Sequence, residues 1–231
     1  ARRNLPLLEQ EVTDHHTNCL TYYYLSQSHI LLHQYEQAAQ YALKSLENNE
    51  EILASTVHHK PYIFYIKSLI FLNEYQTAQV ATMVKEALQK YPDHPEILHC
   101  SGVYQLKQGH YGQALDFLKQ ALVANQNFHS TLDNEFPKVV GKVHEEIALI
   151  YDKMNKPTPC FEHTVLALQT EKHLGSAFSL LISLVKGQKL VDIVQLLDRM
   201  YDVQDKTDVE FLVRNLAILN QKQLFAHYLK I

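Results

Sequence analysis

Small and apolar residues return along this chain at spacings that fit paired helices. Gln34-Tyr35-Glu36-Gln37-Ala38 lies over His110-Tyr111-Gly112-Gln113-Ala114. The match continues without a gap and at a constant offset, Tyr41 over Phe117, Ser45 over Ala121 and Leu46 over Leu122. Asn73-Glu74-Tyr75-Gln76-Thr77-Ala78 supplies a turn between them, again with a tyrosine three residues before an alanine. Self-similarity of this kind points to stacked supersecondary units, with the first pair about two repeat lengths apart. Within the third unit the small residues are Gly102, Ala114 and Ala121, 12 and then 7 residues apart; the first repeats this with Ser26, Ala38 and Ser45, the fourth with Ala148, Cys160 and Ala167. Small side chains at these places let two antiparallel helices approach to the lower end of the roughly 8–10 Å range for packed helices.

The departures from the pattern carry predictions of their own. In the second unit Ile66 stands where a small residue is expected and Ala87 follows Ala78 by nine residues, which predicts a second helix with two extra residues. Ala148 follows Ala121 by 27 positions, more than a regular array needs, and the polar stretch 125–137 with Phe128 and Phe136 reads as an insertion or a lengthened helix end. Past Leu174 the pattern thins, although Lys189-Leu190 and Gln223-Leu224 recur one repeat length apart. The predicted helices cover 5–14, 18–33, 36–49, 59–72, 75–90, 95–107, 111–124, 137–154, 158–171, 174–187, 190–201, 208–220 and 223–231. Pro92 and Pro95 fit a helix stop and restart, and Gly109 and Gly187 fit turns between paired helices.

Composition narrows the function classes. The 231 residues are 46% hydrophobic and 20% charged, with only six glycines and seven prolines, which favours long helices around an apolar core over many short strands. A formal net charge of -4 and the absence of a Lys/Arg block beyond Arg2-Arg3 leave no footprint for a phosphate backbone, so no nucleic-acid partner is expected. Cys19, Cys100 and Cys160 lie far apart in an odd count, which suits a reducing, cytoplasmic compartment and small packing residues rather than a disulfide framework. No apolar run approaches the roughly 20 residues of a membrane span. The chain opens on Ala1-Arg2-Arg3-Asn4-Leu5 without an initiator methionine, which points to a piece of a longer polypeptide.

The spacing of the small residues, with Tyr35, Tyr75 and Tyr111 as aromatics, resembles the tetratricopeptide repeat. Its ~34-residue unit has small residues at its eighth, twentieth and twenty-seventh positions and an aromatic three before the second of them. The resemblance implies an all-α, right-handed α-solenoid superhelix of antiparallel helix hairpins, about five to six repeats with the C-terminal ones degenerate. It is expected as one domain over 1–231: an N-terminal helix in 1–17, regular repeats in 18–124, an irregular insertion in 125–137 and divergent repeats in 138–231.

Such arrays line an inner groove with the first helix of each pair, at the second, fifth, ninth and twelfth or thirteenth positions. On this sequence those places are Leu20, Tyr23, Gln27 and Ile30; Lys60, Ile63, Lys67 and Phe71; Glu96, His99, Val103 and Lys107; and Lys142, Glu145, Leu149 and Asp152. Tyr23, Gln27, Ile63, Lys67, His99, Val103 and Glu145 are the candidate partner contacts. Their mixture of aromatic, apolar and charged side chains suits a protein or an extended peptide. Family members that grip the carboxylate tails of heat-shock chaperones use Lys and Asn at the fifth and ninth positions; Tyr23 and Gln27, Ile63 and Lys67, His99 and Val103 do not match. Of Tyr22-Tyr23-Tyr24, about 100° apart on a helix, Tyr22 is expected in the core and Tyr23 toward a partner.

The fourteen histidines invite a metal site. Cys160 and His163 stand one helical turn apart, but no third ligand follows at a matching interval, so no metal and no cofactor are expected, and Cys160 reads as packing. His15-His16, His58-His59, His94 and His99 read as surface or turn residues. No phosphate loop, nucleophile elbow or His-Glu-x-x-His helix occurs, so no catalytic residue is assigned and the chain is not expected to be an enzyme. A scaffold that captures a protein segment is the leading expectation. A second resemblance, of Arg3-Asn4-Leu5-Pro6-Leu7-Leu8-Glu9-Gln10-Glu11 and Thr21-Tyr22-Tyr23-Tyr24-Leu25 to the junction of bacterial family-2 glycosyltransferases that carry such repeats, implies a non-catalytic accessory domain; the Asp-x-Asp motif of the sugar-transferring half is not in this sequence. A peptide-sensing regulatory domain is the third alternative. The last helix, Leu224-Phe225-Ala226-His227-Tyr228-Leu229-Lys230-Ile231, lacks a polar outer face, so a homo-oligomer contact or a contact with further chain is expected there.

Overall fold

Each hairpin turn is built from the same local chemistry. In the computed structural model, which describes residues 4–13, 18–47, 55–74 and 78–230, left-handed backbone occurs at His33, Asn73, Gly109, Asn155, Gly187 and Asn220, each just past the end of a helix. At five of the six the next amide reaches back to the helix: Gln34 to His29, Glu74 to Leu69, His110 to Gln105, Lys156 to Tyr151 and Gln221 to Leu216. This is the Schellman arrangement, which satisfies the last carbonyls of a helix and reverses the chain. Asparagine tolerates the left-handed conformation better than most residues and fills it three times.

Thirteen α-helices run through the described residues, and no strand occurs among them. They are α1 Leu5–Thr13, α2 Cys19–Leu31, α3 Tyr35–Glu47, α4 Lys60–Phe71, α5 Ala78–Lys90, α6 Pro95–Lys107, α7 Tyr111–Gln126, α8 Val140–Lys153, α9 Pro157–Thr170, α10 Gly175–Leu184, α11 Leu190–Met200, α12 Lys206–Ile218 and α13 Lys222–Tyr228. A 3-10 turn, Phe136–Val139, precedes α8. All thirteen predicted helices are present, and their ends lie within three residues of the expected ones. Six hairpins result among the described residues, α2 with α3 through α12 with α13. Tyr75, the aromatic of the second unit, lies outside the described residues, as do Arg2, Arg3, His15 and His16.

The small residues sit where the paired helices meet. Ser26, Ala38, Ser45, Ala114, Ala121, Ala148, Cys160 and Ala167 have no exposed surface. Ser26 Oγ donates to the Ala38 carbonyl across the hairpin at 2.8 Å, and Ser45 Oγ to the Cys19 carbonyl at 2.9 Å. A Cβ on Gly102 would stand 2.8 Å from Leu118, so α6 and α7 require glycine there unless Leu118 moves.

The second unit corrects the sequence reading. Its buried triad is Ser68, Val80 and Ala87, which repeats the spacing of the other units, while Ala78 is exposed. The second helix therefore has no extra residues; the Tyr75-to-Ala78 likeness to Tyr35-to-Ala38 shifts the apparent register by two. With Ser68 in place, the steps from Ser68 to Gly102, Val80 to Ala114 and Ala87 to Ala121 are equal, each one repeat length. The same step carries Ala148 to Ile182 and Leu216, and Cys160 to Val194 and Tyr228. Large side chains thus occupy the small places of the last two hairpins, and α10 and α11 stand further apart than α8 and α9. Tyr201 and Tyr228 fill the widened space, their hydroxyls donating to the Lys172 carbonyl at 3.0 Å and to Asp198 Oδ1 at 2.7 Å.

The contacts divide the chain into two compact units, Ala1–Pro137 and Lys138–Ile231. In unit 1 the first helices of successive hairpins pack on one another, α2 on α4 and α4 on α6. Its core runs through Ala42, Tyr62, Ile66, Leu69, Val84 and Ile97. In unit 2, α10 packs on α12 and α11 on α13, around Phe178, Leu181, Tyr201 and Leu212. Segment 127–135, which is not helical, belongs to unit 1.

The corrected register is testable by overpacking. Ala87→Leu is expected to cost about 1–3 kcal/mol in urea unfolding, and Ala78→Leu to stay within about 0.5 kcal/mol of the parent. Equal costs at the two positions would restore the register read from the tyrosines.

Candidate functional site

The first residue of α4 is a lysine followed by an apolar run, and its side chain is 2% exposed. Lys60 Nζ reaches both oxygens of Glu96, at 2.9 and 2.8 Å, Asp133 Oδ2 at 3.0 Å and Glu135 Oε2 at 3.4 Å. Burial by itself pulls the pKa of this amine down and is the largest single influence on it. The hydrogen bonds and charges of Glu96 and Asp133 together outweigh burial and hold its pKa above the ordinary value. Glu96 stands in the first turn of α6, where the helix N-terminus favours a carboxylate.

Segment 133–136 is gripped through its backbone as well. The Asp133 amide donates to the Thr56 carbonyl at 2.8 Å, and the Glu135 amide to Glu96 Oε1 at 2.5 Å. His94, the N-cap of α6, accepts from the Glu96 amide at Nδ1, which leaves the proton on Nε2 to donate to the Asp133 carbonyl at 3.2 Å. Phe136 is fully buried with its ring edge-on to His99, the centroids 5.8 Å apart. Phe128 makes the same approach to His94 at 5.0 Å.

Around this grip the imidazoles are kept neutral. His59 has no exposed surface, stacks 3.9 Å from the His94 ring and makes no hydrogen bond at either nitrogen. Burial first, and then the neighbouring His94, the Lys60 ammonium and His58, push its pKa down to about 2. Burial also lowers His94 and His58, and His58 Nδ1 lies 2.5 Å from the Tyr91 hydroxyl.

The sequence-derived contact residues divide into two sets. Tyr23, Ile63, His99 and Glu145 are buried; Gln27, Lys67 and Val103 are half-buried and remain reachable from solvent. Tyr23 exchanges roles with Tyr22: its ring stacks on Phe64 at 5.7 Å in a cluster with Cys19, whereas Tyr22 is half-buried on Tyr41. Burial raises the Tyr23 pKa, helped by Tyr24 and the carboxylates of Asp133, Glu135 and Glu96. Ile63 lies in the core of unit 1, which follows from the two-residue register shift. His99 is covered by Phe136. Lys60 and Glu96, also groove positions in the sequence reading, come together with His99 around segment 133–136.

Glu145 in unit 2 is paired with Lys142 through one oxygen and leaves the other buried without a partner. Asp208, also buried, accepts from Lys172, from His173 Nε2 at 2.7 Å and from the Asp202 amide at 2.7 Å. Cys160 is fully buried with its thiol pKa raised by burial, and His163 faces His144 across 3.0 Å. Among the described residues no group of three or more His, Cys, Asp or Glu is placed to hold a metal, and no helix is long and apolar enough to cross a membrane. A cleft of about 850 Å³ in unit 1 is lined by Tyr91, Pro92, Leu98 and Val123 together with Phe128 and Leu132 of the inserted segment.

No family model and no curated protein sequence matches the chain. Its structure is similar to that of Pseudomonas aeruginosa PilF, with a TM-score of 0.62 and 17% identity over 91% of this chain and 88% of that one. Yeast Tom70 gives 0.62 and 15%, over 96% of this chain but only 44% of Tom70. YrrB, a TPR protein with an unusual peptide-binding site, gives 0.51 and 16%, over 84% and 91%. At these identities the likeness is one of fold: the hairpins are those of tetratricopeptide-repeat proteins.

The buried histidine sets a pH dependence. Because the folded chain holds His59 neutral down to about pH 2 and an unfolded one protonates near 6.5, stability falls as the pH drops below about 6.5. His59→Leu, which removes two unbonded ring nitrogens, is expected to raise urea stability at pH 7 by about 1 kcal/mol and to reduce the loss between pH 7 and pH 5. An unchanged pH slope would contradict the assignment.

Proposed function

We propose that this chain is a scaffold that captures an extended segment of a partner protein on the first-helix face of its repeats, without a reaction of its own. The observation that carries the reading is the hold on segment 133–136. The face of unit 1 bonds a non-helical stretch of backbone, pairs its acidic side chains with a buried ammonium and seats its phenylalanine. Those are the elements by which helical-repeat and other recognition surfaces hold peptides. Gln27, Lys67 and Val103 extend the reachable part of that face. The likeness in fold to YrrB supports the same reading. The three cysteines, buried and joined in no disulfide among the described residues, support a reducing, cytoplasmic setting. At the ends of α12 and α13, Ile218 and Leu229, 73% and 62% exposed, support a further contact surface for another segment or a second copy.

The test is binding of the whole chain to an immobilised library of extended peptides, followed by titration of the best binders. Lys67→Ala and Gln27→Ala are each expected to weaken binding by about 1 kcal/mol, roughly fivefold. A chain that binds no peptide at the highest attainable concentration leaves a spacer role and removes this one.

A further inference from the structure

We infer that the surface formed by Lys60, His94, Glu96 and His99 recognises an acidic segment carrying an aromatic residue, of the pattern Asp-x-Glu-Phe, and that residues 133–136 are a resident occupant which such a partner displaces. The inference rests on the peptide-capturing function proposed above and names the partner's chemistry.

The pattern follows from what each group accepts. A lysine ammonium has three N–H donors and no acceptor. Here Glu96, Asp133 and Glu135 take them, the last two standing two residues apart in the sequence. Glu96 Oε1 and His94 Nε2 take an amide and a carbonyl of the same stretch, so they read backbone and not side chain. The His99 ring meets the aromatic side chain one residue further on. Two carboxylates in alternation, the backbone between them and an adjacent aromatic are therefore read by separate groups of the face.

The segment is more than a connection. The step from Gly102 to Ala148 is longer by about a third than the regular step from Ser68 to Gly102, so the segment belongs to an excess over the repeat. Nor is the resident fit complete. Asp133 and Glu135 keep 44% and 51% of their side-chain surface in water, so they stay partly hydrated while the Lys60 ammonium is buried. His59, against the His94 ring, is left without a hydrogen bond at either nitrogen. A tethered occupant gains from its high local concentration as well as from its contacts, and a free segment of the same chemistry competes with it for the same buried ammonium.

The test uses the full chain and a fluorescent peptide copying residues 130–138. Two opened variants are compared with the parent: Asp133→Asn/Glu135→Gln/Phe136→Ala, and a replacement of 131–136 by a Gly/Ser linker of equal length. The peptide is expected to bind at least one folded opened variant about tenfold more tightly than the parent, whose site is occupied. Lys60→Met in that background should abolish binding, and a scrambled peptide should not bind. Two folded opened variants that ignore the peptide would overturn the inference. So would the failure of both to keep helical circular dichroism, which makes the segment an indispensable part of the fold. Library peptides that bind the opened chain without acidic residues and without need of Lys60 would leave the scaffold reading standing and remove this one.

Discussion

An ammonium group taken out of water costs several kcal/mol unless carboxylates and hydrogen bonds replace its hydration, and Lys60 places that demand on everything around it. The residue heads α4, so its partners must come from elements that converge on the start of that helix. The nearest is the first turn of the next first helix, which supplies Glu96. The remaining donors draw in Asp133 and Glu135 from a segment that follows three helices later. Once these carboxylates are in place the backbone bonds to Thr56, Glu96 and His94 and the seat of Phe136 on His99 follow along the same stretch. A single buried charge thus fixes where the inserted segment lies.

Unit 2 shows what the repeat requires by itself. There Lys172 and Asp208 are separated along the chain by the same interval as Lys60 and Glu96; Lys172 lies just before one first helix, where Lys60 is the first residue of one, and each pair reaches the start of the next first helix in the chain. Burial would raise the Asp208 pKa and is its largest influence, yet the bonds from Lys172, the Asp202 amide and His173 bring it below the usual carboxylate range. One acid and one lysine are enough to tie successive hairpins. The two further carboxylates on Lys60 are therefore explained by the segment that carries them and not by the needs of the array.

The fold was legible because helix pairing leaves a strict trace: small residues at two fixed intervals, and left-handed turns at Asn and Gly. It misled where a local likeness competed with a packing constraint. Tyr75 to Ala78 imitates the turns at Tyr35 and Tyr111, but the helices meet at Ser68, Val80 and Ala87, which no aromatic marks. Tyr23 was misplaced for a related reason, since periodicity alone does not rank three consecutive tyrosines. The candidate site was half legible. Glu96 and His99 were picked out by position, and Lys60 only through the register that the buried triad corrects; their occupant was not, because ion pairs between distant stretches leave no periodic trace. A lone lysine at the head of Pro61-Tyr62-Ile63-Phe64-Tyr65-Ile66, together with an inserted Asp133-Asn134-Glu135-Phe136, was the available signal.

Hydrogen exchange at the amides of Asp133 and Glu135, compared between the parent chain and Lys60→Met, tests the central claim most directly. Both amides are hydrogen-bonded on the face of unit 1 although no helix contains them. The account predicts slow exchange in the parent and fast exchange in Lys60→Met, with the amides of α6 and α7 still protected in both. Fast exchange in the parent, or protection that survives the loss of the ammonium, would contradict it.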